Sequence, residues 1–142
     1  MAMTVHVDIV SAEGSIFSGL VEMLYAPAEM GEVGIAPRHA PLVTRMKAGD
    51  VRVDLGKDKE PLHFFVSGGI LEVQPSVITV LADTAIRVAD LDEAAAKAAM
   101  QRAEKAMEDK GSKFEYAQAQ SELLEAAAQL RAIEKIRATK TL

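Results

Sequence analysis

Three histidines, His6, His39 and His63, are the residues best suited to move protons or bind metal near neutral pH. No pair of them has metal-ligand spacing, which argues against a metal site. Ser67 precedes Gly68-Gly69, but the Gly-x-Ser-x-Gly elbow and its strand-to-helix context are missing. A hydrolase built on Ser67 and His39 would need those side chains within hydrogen-bond reach. Gly31 to Gly34 lacks the lysine and following helix of a phosphate cradle. With no cysteine, thiol catalysis, disulfides, iron–sulfur clusters and Cys-based zinc sites are excluded. Phe17, Phe64, Phe65, Phe114, Tyr25 and Tyr116 are too few and scattered for a base-stacking platform. A net charge of −5 argues against a nucleic-acid partner. The expectation is a non-catalytic binding or regulatory module without cofactor.

Two segments could bind. Ala28 to Leu42 packs two glycines, two prolines, the acidic Glu29 and Glu32, and Arg38-His39 into one stretch. It reads as a stiff, exposed loop, the kind of surface that recognises partners. The alternative is an ordinary connection in which a backbone group satisfies His39. Gln129 to Leu142 carries Arg131, Lys135, Arg137 and Lys140 against Glu134, a net +3 on an acidic protein. That end suits an acidic partner, or simply complements a helix dipole.

The elements that would hold these segments change near residue 86. All five prolines and eight of nine glycines precede it, whereas 15 alanines follow. Proline and glycine punctuate short elements; alanine favours helix. Residues 1–85 carry 6 basic and 11 acidic groups, and 86–142 carry 10 of each. Alternation at Val5, Val7, Ile9, at Val51, Val53, Leu55 and at Leu62, Phe64, Val66 predicts strands, as does the run Val77 to Leu81. Short strands so spaced favour an antiparallel sandwich or barrel. Asp90 with Glu93 reads as a capping box opening a helix over about 91–109. Lys110-Gly111 marks a turn, and a second helix spans about 114–137. Its Leu123, Ala126 or Ala127, Leu130 and Ile133 share a face. The first offers Leu91, Ala95, Ala98, Ala99, Ala103, Ala106 and Met107. The fold class expected is α+β, an all-β N-terminal sandwich followed by a C-terminal antiparallel two-helix hairpin, with domains at 1–86 and 87–142. At 142 residues, 49% hydrophobic and 26% charged, the chain can bury a core. No basic-then-apolar leader opens it and no stretch nears ~18 apolar residues, so neither a secretory signal nor a membrane span is expected.

Over its whole length the chain resembles the epsilon subunit of bacterial F-type ATP synthase. The resemblance rests on Phe17-Ser18-Gly19, Gly31-Glu32-Val33-Gly34-Ile35, Pro37-Arg38-His39-Ala40-Pro41-Leu42, Ser67-Gly68-Gly69-Ile70-Leu71-Glu72-Val73 and Val80-Leu81-Ala82-Asp83-Thr84-Ala85, in that order. It implies a rotor subunit of the central stalk of a proton-translocating synthase, peripheral at the cytoplasmic face of the bacterial inner membrane. The sandwich would join the gamma subunit to the ring of c subunits; the hairpin would move and inhibit ATP hydrolysis in the alpha/beta hexamer. Such a subunit is monomeric within its complex and does no bond chemistry. Carried over, the c-ring contact is Glu29, Gly31, Glu32, Val33, Arg38 and His39, with His39 beside Glu32. Arg131, Lys135 and Arg137 would face an acidic segment of a beta subunit. Relatives that bind ATP carry Ile/Leu-Asp-x-x-Arg-Ala; this chain reads Leu91-Asp92-Glu93-Ala94-Ala95-Ala96. Asp92 remains but Ala95 replaces the arginine, so the resemblance implies weak or absent nucleotide binding. A freestanding β-sandwich adaptor or chaperone with a helical tail is the competing reading, separated by whether gamma, alpha and beta co-purify.

Overall fold

Period-two alternation builds the first half. The computed structural model describes residues 3–108 and 113–140, and its first ten elements are strands. These are β1 (Val5–Ser11), β2 (Gly14–Val21), β3 (Met23–Ala28), β4 (Gly31–Ile35), β5 (Leu42–Met46), β6 (Gly49–Asp54), β7 (Leu62–Val66), β8 (Gly69–Val73), β9 (Val77–Ala82) and β10 (Ala85–Arg87). A short 3₁₀ turn, Val88–Asp90, precedes helices α1 (Glu93–Glu108) and α2 (Lys113–Lys140). The α+β class, sandwich first and helices second, is what the composition shift implied.

One ladder runs β10-β7-β6-β3-β5-β8-β9-β1-β2, with β4 also paired to β3. All pairings are antiparallel except β1 with β9. β3 meets β5 at a single pair, Ala28 opposite Met46. There the ladder folds over, so one leaf holds β3, β4, β6, β7 and β10 and the other β1, β2, β5, β8 and β9. Val7, Ile9, Leu24, Val51, Val53, Phe64, Val66, Leu71, Ile78 and Val80 point inward and form the core. Phe17 leans on Phe64 with ring centroids 5.6 Å apart, the tilted arrangement aromatic pairs prefer.

The segment expected as a loop is half strand. Gly31–Ile35 pairs along β3, with Val33 opposite Ala26 and Ile35 opposite Leu24. Those two side chains point at the core, which offsets the cost of ordering a glycine-containing strand. The helix cap also moves. Asp92, not Asp90, accepts the Ala95 amide through Oδ1 at 3.2 Å, while Asp92 O accepts the Ala96 amide at 3.0 Å. Asp90 is spent in the 3₁₀ turn, where Leu91 N–H reaches Val88 O. Glu93 is therefore the first helical residue and cannot reach back as a capping-box partner.

The chain divides into two compact units, Met1–Arg87 and Val88–Leu142. In the second, α1 buries Ala96 and Ala103, while Ala95 and Ala106 are exposed. Of the expected face, Ala103 is buried and Ala98, Ala99 and Met107 are half-buried, while Ala96 takes the inward place expected of Ala95. Three consecutive alanines, Ala94 to Ala96, carry no hydrophobic contrast to set that phase. On α2 Ala126 is buried on the expected face, with Leu123, Leu130 and Ile133 half-buried, and Ala128 and Ala132 are buried on the other side of the helix. Lys110, Gly111 and the Phe114 side chain lie outside the described residues.

Candidate interaction surfaces

Each histidine is satisfied locally. His39 Nδ1 hydrogen-bonds Ala40 O at 2.6 Å; a carbonyl only accepts, so Nδ1 carries the proton. His63 Nδ1 lies 2.9 Å from Asp50 Oδ2, both side chains nearly buried. His6 Nε2 lies 3.0 Å from Asp8 Oδ1. Ser67 Oγ accepts from Thr84 N–H at 3.0 Å and Thr84 Oγ1 at 2.7 Å. Ser67 and His39 share no hydrogen bond, so the pair a hydrolase would need is not assembled. The glycines after Ser67 serve the turn: at Gly69, with φ of 138°, a Cβ would sit 2.1 Å from Leu81 O.

The expected c-ring residues occupy two ends of β4. Glu29 and Met30 form the tip of the β3–β4 hairpin and are exposed; Glu29 N–H donates to Arg45 O at 3.0 Å. Glu32 points outward on β4 and Val33 inward. Arg38 and His39 sit in the turn after β4. Arg38 adopts a left-handed φ of 63°, and its N–H donates to Pro75 O at 3.0 Å. His39 N–H donates to Ala36 O at 3.3 Å. Three strand steps, roughly 10 Å, separate Glu32 from Ile35 at the start of that turn. The residues share one edge of the sandwich, but Glu32 and His39 belong to different parts of it.

A second surface was not singled out by motif. On the outer face of β1, β9 and β8, Val10, Leu81 and Ile70 stand opposite one another across adjacent strands. Ile70 is 44% and Leu81 45% exposed; on β5 Arg45 stands opposite Ile70, and Val43, opposite Glu72 and so diagonal to Ile70, is 70% exposed. The apolar row thus crosses three strands, Val10, Leu81 and Ile70, before Arg45 ends it on β5. Its signal was present in Val77 to Leu81, which is apolar at both phases of the strand. A polar cluster flanks it on β1 and β2. Asp8 Oδ1 accepts Ser18 Oγ at 2.6 Å as well as His6. Those bonds, Ser18 first, hold the Asp8 carboxyl below its ordinary value.

The cations of α2 do not share a face. At 100° per residue, Leu124, Arg131 and Lys135 fall on one stripe about 40° wide, and all three are exposed. Arg137 lies about 120° from Arg131 and continues the buried stripe instead. Its Nη1 donates to Glu93 Oε1 at 3.2 Å and its Nη2 to Glu93 Oε2. The three-cation surface expected for a beta subunit is thus split in the closed hairpin, because Arg137 is turned onto α1. The Lys140 side chain lies outside the described residues. Asp92, carried over from the nucleotide motif, is the cap of α1. Among the described residues no group of three His, Cys, Asp or Glu could hold a metal ion, and no helix is long and apolar enough to cross a membrane.

Known proteins match along nearly the whole chain. Residues 4–88 match the family described as ATP synthase, Delta/Epsilon chain, beta-sandwich domain, and residues 89–134 its long alpha-helix domain. An ATP synthase epsilon chain of Nitrosococcus oceani is 66% identical over 137 residues, covering 96% of this chain and 97% of that protein. That of Thioalkalivibrio sulfidiphilus is 61% identical over the same spans. A chain in the mitochondrial ATP synthase of Euglena gracilis, solved as OSCP/F1/c-ring, superposes with TM-score 0.72 at 15% identity, covering 96% of this chain and 81% of that one. One in the central stalk and c-ring of the Tetrahymena thermophila enzyme gives 0.60 at 10%, covering 92% and 97%; both likenesses concern the fold. With a sandwich and a helical pair each matched in order, the chain belongs to the ATP synthase delta/epsilon chain family.

Proposed function

We propose that this chain is a non-catalytic rotor subunit of a proton-translocating F-type ATP synthase, coupling gamma to the c-ring and inhibiting ATP hydrolysis through a movable helical hairpin. It would work peripherally at the cytoplasmic face of the bacterial inner membrane. The observation that carries the reading is the apolar row Val10–Leu81–Ile70, with exposed Val43 diagonal to Ile70 on β5. A long coiled or helical partner with its own apolar side fits that face, and gamma is assigned there. The Glu29–Met30 tip, Glu32 and the Arg38–His39 turn are assigned to the c-ring. Contacts to a ring repeat around it, so modest individual pairs sum.

Arg131 and Lys135 form the basic stripe assigned to an acidic segment of a beta subunit. The hairpin's seam sets buried alanines beside Leu, Ile and Met side chains that are only half-buried, so it buries modest area; closed and open hairpins then differ by little free energy, as a movable element requires. With Ala95 where relatives carry arginine, the isolated chain is expected to show no micromolar ATP binding by titration calorimetry. Co-purification tests the reading: the chain should come down with gamma, alpha and beta. Recovery of the chain alone, from cells that assemble the complex, would favour a freestanding adaptor.

A further inference from the structure

The seam between α1 and α2 ends in a charged rung. On α2, Ala119, Leu123, Ala126, Leu130 and Ile133 recur at spacings of 4, 3, 4 and 3, and Arg137 is the next position. On α1, Ala103, Met100, Ala96 and Glu93 recur toward the N-terminus in the same way, after Met107. Each set spans a stripe about 80° wide. In an antiparallel pair the first rung of α1 faces the last of α2. There the Glu93 carboxylate takes two parallel hydrogen bonds from the Arg137 guanidinium, the bidentate geometry that makes such pairs strong and directional. Lys97, one turn on, adds an ion pair to Glu93 Oε1 at 3.3 Å. Arg137's hydrogen bonds hold the Glu93 carboxyl below its ordinary value, with Lys97 second.

We propose that Glu93 and Arg137 form a clasp that shuts the open end of the hairpin and withholds Arg137 from the acidic partner surface, so that hairpin closure and partner docking compete for one guanidinium. The competition rests on the inhibitory reading above; the clasp does not. The apolar side chains beside it, Ile133, Leu130 and Met100, are only half-buried, so the terminal ion pair adds to a modest seam. An acidic segment offering a carboxylate to Arg137 replaces Glu93 one for one, leaving Glu93 with Lys97. Arg131 and Lys135, on the outer stripe, are accessible in either state and provide first contact. Arg137 is then engaged only after the ends part.

The test uses the full-length chain with Glu93→Gln, Arg137→Gln and the double variant. Amide exchange is followed at the α1 start and the α2 end, and inhibition is assayed on a gamma-containing alpha/beta complex. Both single variants should speed exchange at both ends, by about two- to fivefold for an exposed pair, Glu93→Gln somewhat more because it also loses Lys97, and the double variant should add nothing beyond Glu93→Gln. At about 1 M salt, where screening reaches ~3 Å, the effect should shrink. Glu93→Gln, which removes the competing carboxylate, should inhibit at about two- to fivefold lower concentration; Arg137→Gln should not gain. Additive or unchanged exchange overturns the clasp. Faster exchange with unchanged inhibition by Glu93→Gln overturns the competition. A wild-type chain that never inhibits overturns the functional reading and the competition with it, while the exchange cycle still decides the clasp.

Discussion

Replacing Val43, Ile70 and Leu81 together with threonine should weaken binding to gamma without weakening the fold. Threonine keeps the β-branched shape that strands accept, so the change is one of polarity on an outer face. Burying a whole Val, Leu or Ile side chain is worth about 1.5–3 kcal/mol. With 70%, 44% and 45% of these residues still exposed, covering the remainder yields about 1 kcal/mol each. Ile70 and Leu81 stand directly opposite, so their effects couple and do not add fully. The triple variant should therefore lose about 2–3 kcal/mol, or roughly 30- to 150-fold in Kd. Calorimetric titration against a gamma-containing complex measures it, with the melting temperature of the free variant as control. Unchanged affinity, at unchanged stability, would refute the assignment of gamma to this face.

Three further outcomes follow from the geometry. Gly69→Ala should destabilise the sandwich by at least ~1–3 kcal/mol, because φ of 138° is strained for an L side chain and Leu81 O stands 2.1 Å from the added Cβ; denaturant midpoints check it. Asp92→Ala should cost about 1 kcal/mol, concentrated in α1, by removing the cap on Ala95 N–H; local exchange at the start of α1 reads it, and Asp90→Ala should do far less. The Glu93 carboxyl is depressed by Arg137 and then Lys97, so its folded pKa lies below its unfolded one. Its contribution is complete above the ordinary carboxylate range and drains as pH falls through the depressed value. Far-UV dichroism melts of wild type and Glu93→Gln should differ near neutral pH and converge in strong acid.

How much could be read beforehand depended on contrast between neighbouring residues. β1, β6 and β7 were legible because Val5, Val7, Ile9 and their counterparts recur at every second residue, and β9 because Val77 to Leu81 is a β-branched run. β4 was not, since Gly31 and Gly34 look like turn residues until Val33 and Ile35 are seen facing the core. β2 is diluted by Gly14, Ser15, Ser18 and Gly19, and its pairing with β1, broken by an irregularity after Ile9, follows from neither residue type nor spacing. Along α1 the alanine run hides the phase, so Ala96 in place of Ala95 emerges only with a partner helix present. Charge along the chain groups Arg137 with Arg131 and Lys135, whereas position around the helix separates it from them. Running the 3–4 spacing of Leu123 to Ile133 one step further would have placed it on the seam. The outer apolar row required the sheet order, since Val10, Leu81 and Ile70 come from three separated strands.

The central claim is that the sandwich attaches and the hairpin brakes. The most direct measurement is ATP hydrolysis by a gamma-containing alpha/beta complex, reconstituted with the full chain or with a version ending near Val88. Both should bind, and only the full chain should slow hydrolysis. Equal inhibition by the two, or failure of the shortened chain to bind, would contradict it.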